Sequence, residues 1–260
     1  MCDHKPNHIV ITGAAGAIGS ALASRLAKRH PDARFTLVDL DSEAARKVAD
    51  QIGLRAKSVV WDLAHPEALD GLWDNAVASH GGVDMLVNCA GVMEIRTYHR
   101  TPWEMAEQLM NINLMSPLKL MHLALNGMSA GDSVVNISSM AGRVQLKGCG
   151  YYGAAKAGLA MASEIAFIEN RAKDIHVLTV YPGPVYSNLE SRARGQVEEG
   201  FVSKWIPTGQ PGPLADRILT ALERKDARVI YPDVYGLANR FTGLSAFITA
   251  RFSPEPNDHP

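Results

Sequence analysis

The chain has 260 residues, of which 47% are apolar and 20% are charged, and its formal net charge is −1. This composition excludes a disordered, collagen-like or disulfide-rich protein, and a chain of this length can bury a sizeable core. The near-zero charge offers no global attraction to nucleic acid or anionic membranes. No apolar run reaches the ~20 residues of a membrane span, and the start lacks a signal-peptide layout. Three scattered cysteines are typical of a reduced, cytoplasmic protein.

Short β-branched runs alternate with longer helical patterns along the chain. Strands are predicted at residues 8–12, 34–39, 57–61, 83–88, 133–138, 175–181 and 228–231. Helices are predicted at residues 17–30, 42–52, 66–79, 102–126, 152–173 and 213–224. Apolar strands that alternate with helices indicate a parallel sheet covered on both faces. We therefore expect an α/β fold with one Rossmann-type, doubly wound sheet of about seven strands, in a single domain over residues 1–260.

The turn after the first strand carries the first chemical signal. Residues 12–19 read Thr-Gly-Ala-Ala-Gly-Ala-Ile-Gly and open the first helix. Glycines at such a turn let the backbone approach a pyrophosphate at the positive end of the helix. Asp39 ends the second strand, where a carboxylate can accept hydrogen bonds from both adenosine ribose hydroxyls and repels a 2′-phosphate. No Arg or Lys follows to neutralise that phosphate, so the pattern favours NAD over NADP; a glycine turn without a ligand is the alternative.

A spaced set of polar residues lies further along the chain: Lys156 follows Tyr152 by four residues, and Ser139 precedes it by thirteen. This set resembles the catalytic Tyr-x-x-x-Lys motif, with its upstream Ser, of the compact branch of the short-chain dehydrogenase/reductase superfamily. The resemblance implies an oxidoreductase in which Asn113 completes a catalytic tetrad and positions a water, while Lys156 holds the nicotinamide ribose. It also implies cofactor contacts from Tyr152 and Lys156 and from five segments along the chain. These contacts are Gly13, Ala15, Gly16, Ala17, Ile18 and Gly19 in the turn, Asp39, Asp62 and Leu63 near the adenosine, Asn88, Ala90 and Gly91 after the fourth strand, and Pro182, Gly183, Val185 and Ser187 at the nicotinamide.

The chemistry of the tetrad can be argued from its side chains. Tyr152 and Lys156 are four residues apart and hence neighbours on one helix face. A tyrosine ordinarily titrates near pH 10, and a nearby ammonium together with an oxidised nicotinamide should lower that pKa. Tyr152 can then remove the hydroxyl proton as hydride leaves for the nicotinamide, and Ser139 can steady the charge on the substrate oxygen.

Several alternatives stay open at this point. Ser138 and Tyr151 are also thirteen residues apart, although no lysine stands four residues beyond Tyr151. Asn111 competes with Asn113, and Asp62 can be a simple loop acid. The compact branch usually has glycine at position 17, whereas the glycine spacing around Ala17 matches the longer, epimerase-type branch. A methyl group at Ala17 narrows the approach to a pyrophosphate.

Two segments are predicted to lie around the substrate. Residues 183–212 form the one long loop and should fold over the substrate as a lid, and residues 93–95 and 144–149 should form the opposite wall. The apolar character of these segments favours a hydrophobic alcohol or ketone. The lid candidates are Val185, Tyr186, Leu189, Phe201, Val202, Trp205 and Ile206. Nine scattered histidines show no metal-ligand spacing, so no metal site is expected.

Residues 232–260 form a C-terminal tail with apolar residues at helical spacing. We expect this tail to pack on the sheet edge or on a neighbouring subunit, and peripheral membrane contact is the alternative. The resemblance implies a homodimer or homotetramer formed through the helices at 102–126 and 152–173.

The leading hypothesis is an NAD-dependent oxidoreductase that interconverts a secondary alcohol and a ketone, with no nucleic-acid partner. A non-catalytic NAD(P)-binding sensor or scaffold is one alternative. An NAD-retaining epimerase or dehydratase is another.

Overall fold

Seven parallel strands form one sheet in the computed structural model, which describes residues 5–197, 207–236 and Pro256. The strands are β1 (His8–Thr12), β2 (Arg34–Asp39), β3 (Ala56–Val60), β4 (Met85–Asn88), β5 (Ser133–Ile137), β6 (His176–Pro182) and β7 (Arg228–Tyr231). Their order across the sheet is β3-β2-β1-β4-β5-β6-β7. The order runs outward in both directions from β1 and β4, which is the doubly wound arrangement. The prediction of the fold class is confirmed.

Helices cover both faces of this sheet. They are α1 (Ala17–Arg29), α2 (Ser42–Ile52), α3 (Leu69–His80), α4 (Trp103–Met110), α5 (Ser116–Gly127), α6 (Gly150–Asn170), α7 (Asn188–Gly195) and α8 (Pro211–Arg224). Helices α1, α2 and α8 pack on the face that carries Ile9 and Ile11, and α3, α5 and α6 pack on the face that carries Val10. Neighbouring residues of a strand point to opposite faces, so the continuously apolar strands bury side chains in both layers.

Local signals explain where several helices begin and end. The Asp41 side chain accepts a hydrogen bond from the backbone N–H of Ala44 (3.0 Å) and so caps the start of α2. Gly53 and Gly81 follow α2 and α3 with φ of +86°, a backbone conformation that glycine adopts at little cost.

The helix predicted at residues 102–126 differs most from the structure. It consists of α4 and α5 joined by a π-helical turn over Asn111–Met115. A π turn inserts one residue into a helix without ending it, so the apolar pattern continues across the junction. Smaller differences concern boundaries. Helix α3 follows a 3₁₀ turn at Pro66–Ala68, and α6 begins at Gly150 rather than at residue 152.

The lid and the tail are described in part. Within the lid range, α7 occupies Asn188–Gly195, while Phe201, Val202, Trp205 and Ile206 lie outside the described residues. The tail is described for residues 232–236 and for Pro256, so its apolar helical pattern also lies outside. No described helix is long and apolar enough to cross a membrane.

Candidate active site

The glycine turn between β1 and α1 is tightly folded against its neighbours. Gly13 has a φ of +64°, and a Cβ at this position would lie 2.6 Å from the Cα of Ala90. A Cβ on Gly19 would collide with the carbonyl oxygen of Gly13. Both positions therefore require glycine. Ala17 is the first residue of α1 and lies after Gly16, which ends the turn in an extended conformation.

The carboxylate of Asp39 lies against this turn. Its Oδ2 accepts a hydrogen bond from the backbone N–H of Ala15 (2.8 Å), and its Oδ1 accepts one from the N–H of Asp41 (3.1 Å). The predicted ribose-binding carboxylate and the predicted phosphate-binding turn are therefore in direct contact. The sequence spacing predicted that both lie near the cofactor but did not predict this hydrogen bond.

The loop after β3 holds Asp62 and Leu63 beside the same edge of the sheet. Asp62 Oδ1 accepts a hydrogen bond from the N–H of Ala64 (2.9 Å), and the carbonyl of the buried Leu63 accepts one from Ser116 Oγ (2.6 Å). The Asn111 side chain donates to the Ala64 carbonyl (3.0 Å). Asn111 therefore anchors this loop.

Asn113 is fully buried within the π-helical turn. Its Nδ2 donates to the carbonyls of Val92 (2.8 Å) and Leu109 (3.0 Å), and its Oδ1 accepts from the N–H of Val92 (3.2 Å). A Cβ on Gly91 would lie 2.8 Å from Asn113 Oδ1 and 3.3 Å from Lys156 Nζ. The backbone of Gly91 therefore lies between two predicted members of the tetrad.

Ser139 and Tyr152 meet where β5 ends and α6 begins. Ser139 Oγ caps the 3₁₀ turn Met140–Gly142 by accepting the N–H of Ala141 (3.1 Å). The Ser139 side chain is also near enough to the Tyr152 phenol to lower its pKa through hydrogen bonding. Lys156 Nζ donates to the carbonyl of Ile137 (3.0 Å) and lies 5.9 Å from the centre of the Tyr152 ring.

The alternative pair is directed elsewhere. Ser138 Oγ donates to the carbonyl of Lys156 (2.7 Å), and the Tyr151 ring packs edge-on against Tyr98 with ring centres 4.8 Å apart. The structure therefore brings together Ser139, Tyr152 and Lys156 and separates Ser138 from Tyr151.

Burial controls the proton chemistry of this site. It raises the pKa of Tyr152 to about 12, although the hydrogen bond from Ser139 acts in the opposite direction. Burial also lowers the pKa of Lys156 to about 8. The pKa of Tyr152 is therefore raised and not lowered as the sequence predicted, because a buried phenolate loses its hydration. Tyr152 is a neutral phenol near pH 7 and can donate a proton.

The segment that follows β6 contains the predicted nicotinamide contacts. Pro182 ends β6, and the N–H of Gly183 donates to the carbonyl of Tyr231 (2.7 Å). Val185 is buried and forms a short parallel bridge with Gly209. The next contact, Ser187, caps α7 by accepting the N–H of Glu190 (3.0 Å).

An apolar cluster lies between the predicted substrate walls and α7. Ile95, Cys149 and Ala193 are buried together, and Met93 and Val197 pack against them. The N–H of Ile95 also donates to Gln196 Oε1 (3.0 Å), which ties one wall to the end of the lid helix. The predicted wall segment at residues 144–149 does not pack as a whole against this cluster, because Val144 packs with Met140 and Tyr181 instead.

A family model described as short chain dehydrogenase matches residues 7–198 of the chain. The chain belongs to the short-chain dehydrogenase family. This confirms the resemblance drawn from the sequence motifs, and the family is one of oxidoreductases that bind NAD(P) and act on small molecules.

Several short-chain dehydrogenase relatives resemble the chain over most of its length. Carbonyl reductase family member 4 of Xenopus tropicalis is 28% identical over 218 residues, which are 82% of this chain and 89% of that protein. Cyclohexanol dehydrogenase of an Acinetobacter species is 28% identical over 242 residues, or 90% and 94% of the two chains. Probable oxidoreductase EphD of Mycobacterium tuberculosis is 27% identical over 248 residues, and this chain spans 42% of its length.

Solved structures of short-chain dehydrogenases share the fold. One from Streptomyces avermitilis superposes with a TM-score of 0.77 at 25% identity, covering 95% of this chain and 96% of that one. One from Sphingobium yanoikuyae in complex with NADPH has a TM-score of 0.76 at 23% identity, covering 91% and 94%. Another, from Burkholderia cenocepacia, was solved in complex with NADP and has a TM-score of 0.74 at 23% identity, covering 87% and 95%.

Sequence reasoning missed one polar cluster at the edge of this site. Arg143, Glu164 and Tyr181 meet beyond the Ser139 turn, and none of them was a candidate from spacing. The one local signal is a tyrosine in the apolar strand β6.

Among the described residues, no group of three or more His, Cys, Asp or Glu side chains could hold a metal ion.

Proposed function

We propose that this short-chain dehydrogenase interconverts a secondary alcohol and a ketone with NAD, in one domain over residues 1–260. The observation that carries the proposal is the convergence of three predicted site residues: Lys156 Nζ lies 5.9 Å from the centre of the Tyr152 ring, and the Gly91 backbone packs against both Lys156 and Asn113. Tyr152 and Lys156 are almost fully buried, and a structural role alone gives no reason to bury a lysine beside a phenol.

The residues present fit a dinucleotide. Helix α1 has no acidic residue in its first turn and no side-chain cap, so its free N–H groups and positive end are available to a pyrophosphate. The absence of a Cβ at Gly91 lets the backbone after β4 pack directly against Asn113 Oδ1 and Lys156 Nζ. When bound there, the nicotinamide would supply or accept the hydride.

Each residue of the tetrad has a distinct proposed role. Tyr152 donates its proton to the oxygen of a carbonyl substrate and, in the opposite direction, removes the proton from the alcohol. Ser139 donates a hydrogen bond to the same oxygen and stabilises the negative charge that develops on it. Lys156, with a pKa of about 8, can return a proton toward Tyr152 near neutral pH, and Asn113 holds the π-helical turn beside it.

A screen of alcohols and ketones, followed by the absorbance of reduced nicotinamide, tests the reaction. One relative is a cyclohexanol dehydrogenase, and the cluster of Ile95, Cys149 and Ala193 is apolar, so cyclohexanol and other hydrophobic secondary alcohols belong in the panel. Tyr152→Phe should lose about a hundred- to ten-thousandfold in kcat while it still binds NADH, since a positioned acid–base group contributes about 10²–10⁴-fold. Tyr151→Phe is the matched control and should retain activity.

The alternatives predict different outcomes of that screen. Binding of NADH without any turnover that depends on Tyr152 would indicate a sensor or scaffold. Conversion of substrate without accumulation of NADH would indicate an epimerase or dehydratase that retains its cofactor.

The NAD preference is tested at Asp39. Wild type should use NAD at least about tenfold better than NADP, because a carboxylate repels a 2′-phosphate. Asp39→Asn keeps an oxygen that can accept the Ala15 N–H but loses the charge, so it should narrow the preference. Asp41→Asn is the matched control, because it removes a charge two residues away and keeps the helix cap. It should leave the preference for NAD over NADP unchanged. If wild type uses NADP better than NAD, the role of Asp39 is wrong.

We also propose a homodimer or homotetramer formed through α6. Met161, Ile165 and Ile168 recur at helical spacing on that helix, and their exposed fractions are 62%, 46% and 71%. A second subunit would cover this apolar stripe. Sedimentation velocity should show at least a dimer, and Ile165→Asp should shift it toward monomer.

A further inference from the structure

Three polar side chains from different segments converge beside the Ser139 turn. Arg143 Nη2 donates to Glu164 Oε1 (2.7 Å) and to the hydroxyl oxygen of Tyr181 (2.6 Å). The Tyr181 hydroxyl in turn donates to Glu164 Oε1 (2.6 Å). Every pair in this group is hydrogen-bonded, and we refer to Arg143, Glu164 and Tyr181 as the Arg143 cluster. Arg228 also approaches this group, with its Nε 3.8 Å from Glu164 Oε1.

Each member of the Arg143 cluster belongs to a segment that carries part of the proposed active site. Arg143 ends the 3₁₀ turn that Ser139 caps. Glu164 lies on α6, eight residues or about 12 Å along the helix from Lys156. Tyr181 precedes Pro182, where the predicted nicotinamide contacts begin. The cluster therefore joins the serine, the tyrosine–lysine helix and the nicotinamide segment.

Backbone packing leaves the Ser139 turn little freedom to shift along α6. A Cβ on Gly142 would lie 2.7 Å from the backbone N of Ala157, and a Cβ on Gly153 would lie 2.9 Å from the carbonyl oxygen of Ala141. Met140 is buried against Ala160. The turn and the helix thus touch through their main chains, and the Arg143 cluster closes the far end of this contact.

We propose that the Arg143 cluster positions the Ser139 hydroxyl beside the Tyr152 phenol and fixes the direction of the segment after β6. Its members are positioning residues, because none of them contacts the reacting atoms. This inference rests on the proposed function, since it assigns the cluster a part in that reaction.

Burial of Tyr181 explains why these three side chains hold one arrangement. The exposed fraction of Tyr181 is 1%, so its hydroxyl needs a protein partner and finds two. Burial also raises the pKa of Tyr181 to about 12, which keeps the hydroxyl protonated as a donor throughout the neutral range. Arg143 and Glu164 are partly exposed, so their direct ion pair alone would fix little.

Two variants test the proposal in the full-length protein. Tyr181→Phe removes one hydroxyl and keeps the ring, and Arg143→Met removes the charge and keeps most of the side-chain length. Both should lower kcat about five- to twentyfold, with KM for the cofactor within about twofold of wild type. Arg143→Lys can donate to the same two oxygens and should keep kcat within about twofold. Thr36→Val is the matched control, because it removes a buried hydroxyl that hydrogen-bonds His8 (2.9 Å) on β1.

The pH dependence separates positioning from stability. Ser139 lowers the pKa of Tyr152, so a displaced serine should move the midpoint of the alkaline rise in the oxidation rate upward. A role in stability alone would lower the melting temperature, as Thr36→Val should, without moving this midpoint. A kcat within twofold of wild type together with an unchanged midpoint, in both cluster variants, overturns the proposal.

Hydrogen exchange supplies a readout that does not need turnover. The N–H groups of Gly142 and Arg143 donate within the turn, to the carbonyls of Ser139 (3.1 Å) and Met140 (2.9 Å). Their exchange should be at least about fivefold faster in Tyr181→Phe, and exchange in α2 should not change. If wild type shows no turnover, the proposed function fails, and unchanged exchange in the turn then overturns this inference as well.

Discussion

Gly91→Ala tests how closely the backbone after β4 approaches the proposed tetrad. The added Cβ would lie 2.8 Å from Asn113 Oδ1, and contacts under 3.0 Å are essentially never seen for real Cβ atoms. It would also lie 3.3 Å from Lys156 Nζ. The substitution therefore forces the Asn113 amide, the Gly91 backbone or both to move by a few tenths of an ångström or more.

The magnitude follows from the hydrogen bonds that Asn113 makes. The side chain is fully buried and is held by three bonds, of which the one from the N–H of Val92 is the longest at 3.2 Å. Leaving one buried polar group unpaired costs about 1–3 kcal/mol. If most of that cost falls on the transition state, kcat should drop about 10- to 100-fold, since about 1.4 kcal/mol corresponds to tenfold.

The assay is steady-state turnover combined with thermal unfolding. Gly71→Ala is the matched control, because a Cβ there would meet nothing nearer than Trp61 at 3.9 Å. Position 71 lies within α3, where alanine in place of glycine should stabilise the protein by about 0.5–1 kcal/mol. Turnover of Gly91→Ala within twofold of wild type would refute the reasoning, because it would show that Asn113 yields to a methyl group without consequence for catalysis.

Three further outcomes are expected. Gly19→Ala would collide with the carbonyl oxygen of the first glycine of the turn, so the fluorescence of bound NADH should report at least a tenfold loss of affinity, and an unchanged Kd contradicts this. Burial lowers the pKa of His8 below its usual 6.5, so His8 takes up a proton at a higher pH in the unfolded chain than in the folded protein. Neutral His8 therefore contributes its full share of stability above pH 6.5, and this share is lost as the pH falls through the folded-state pKa. Urea midpoints should therefore fall between pH 7 and pH 5.5, and a flat profile rejects the assignment. Burial raises the pKa of Cys89 to about 12 and of Cys149 to about 11, so iodoacetamide at pH 7 should modify both only in urea, as mass spectrometry can check.

Features that depend on neighbouring residues were predictable from the sequence. The bounds of β1, β2 and β7 agree with the predicted strands because apolar, β-branched runs end there at turn or charged residues. The spacing of Tyr152 and Lys156 was equally informative, since four residues bring two side chains to one helix face.

Features that depend on the folded environment were not predictable. The π-helical turn that holds Asn113 leaves no mark on the apolar pattern, because the helix continues on both sides of it. The raised pKa of Tyr152 arises from burial, which is a property of the packed structure and not of the helix. The Arg143 cluster joins residues 17 to 38 positions apart, each of an ordinary type for its own segment.

One row of buried polar residues explains why the site assembles where it does. Thr12, Asn88, Asn136 and Thr179 are register partners across β1, β4, β5 and β6. Thr12 Oγ1 accepts the N–H of Cys89 (3.1 Å), and Asn88 Nδ2 donates to Asn136 Oδ1 (2.9 Å).

The row continues onto α6 through a single hydroxyl. Ser163 Oγ accepts from Asn136 Nδ2 (3.0 Å) and from Thr179 Oγ1 (2.8 Å). A slip of any strand by one residue would leave several of these buried groups unpaired, at about 1–3 kcal/mol each. An apolar row would permit such a slip at lower cost. Because Gly91, Ser139 and Pro182 each follow the row by three residues, the same hydrogen bonds that set the strand register also set the relative positions of the segments that carry the proposed chemistry.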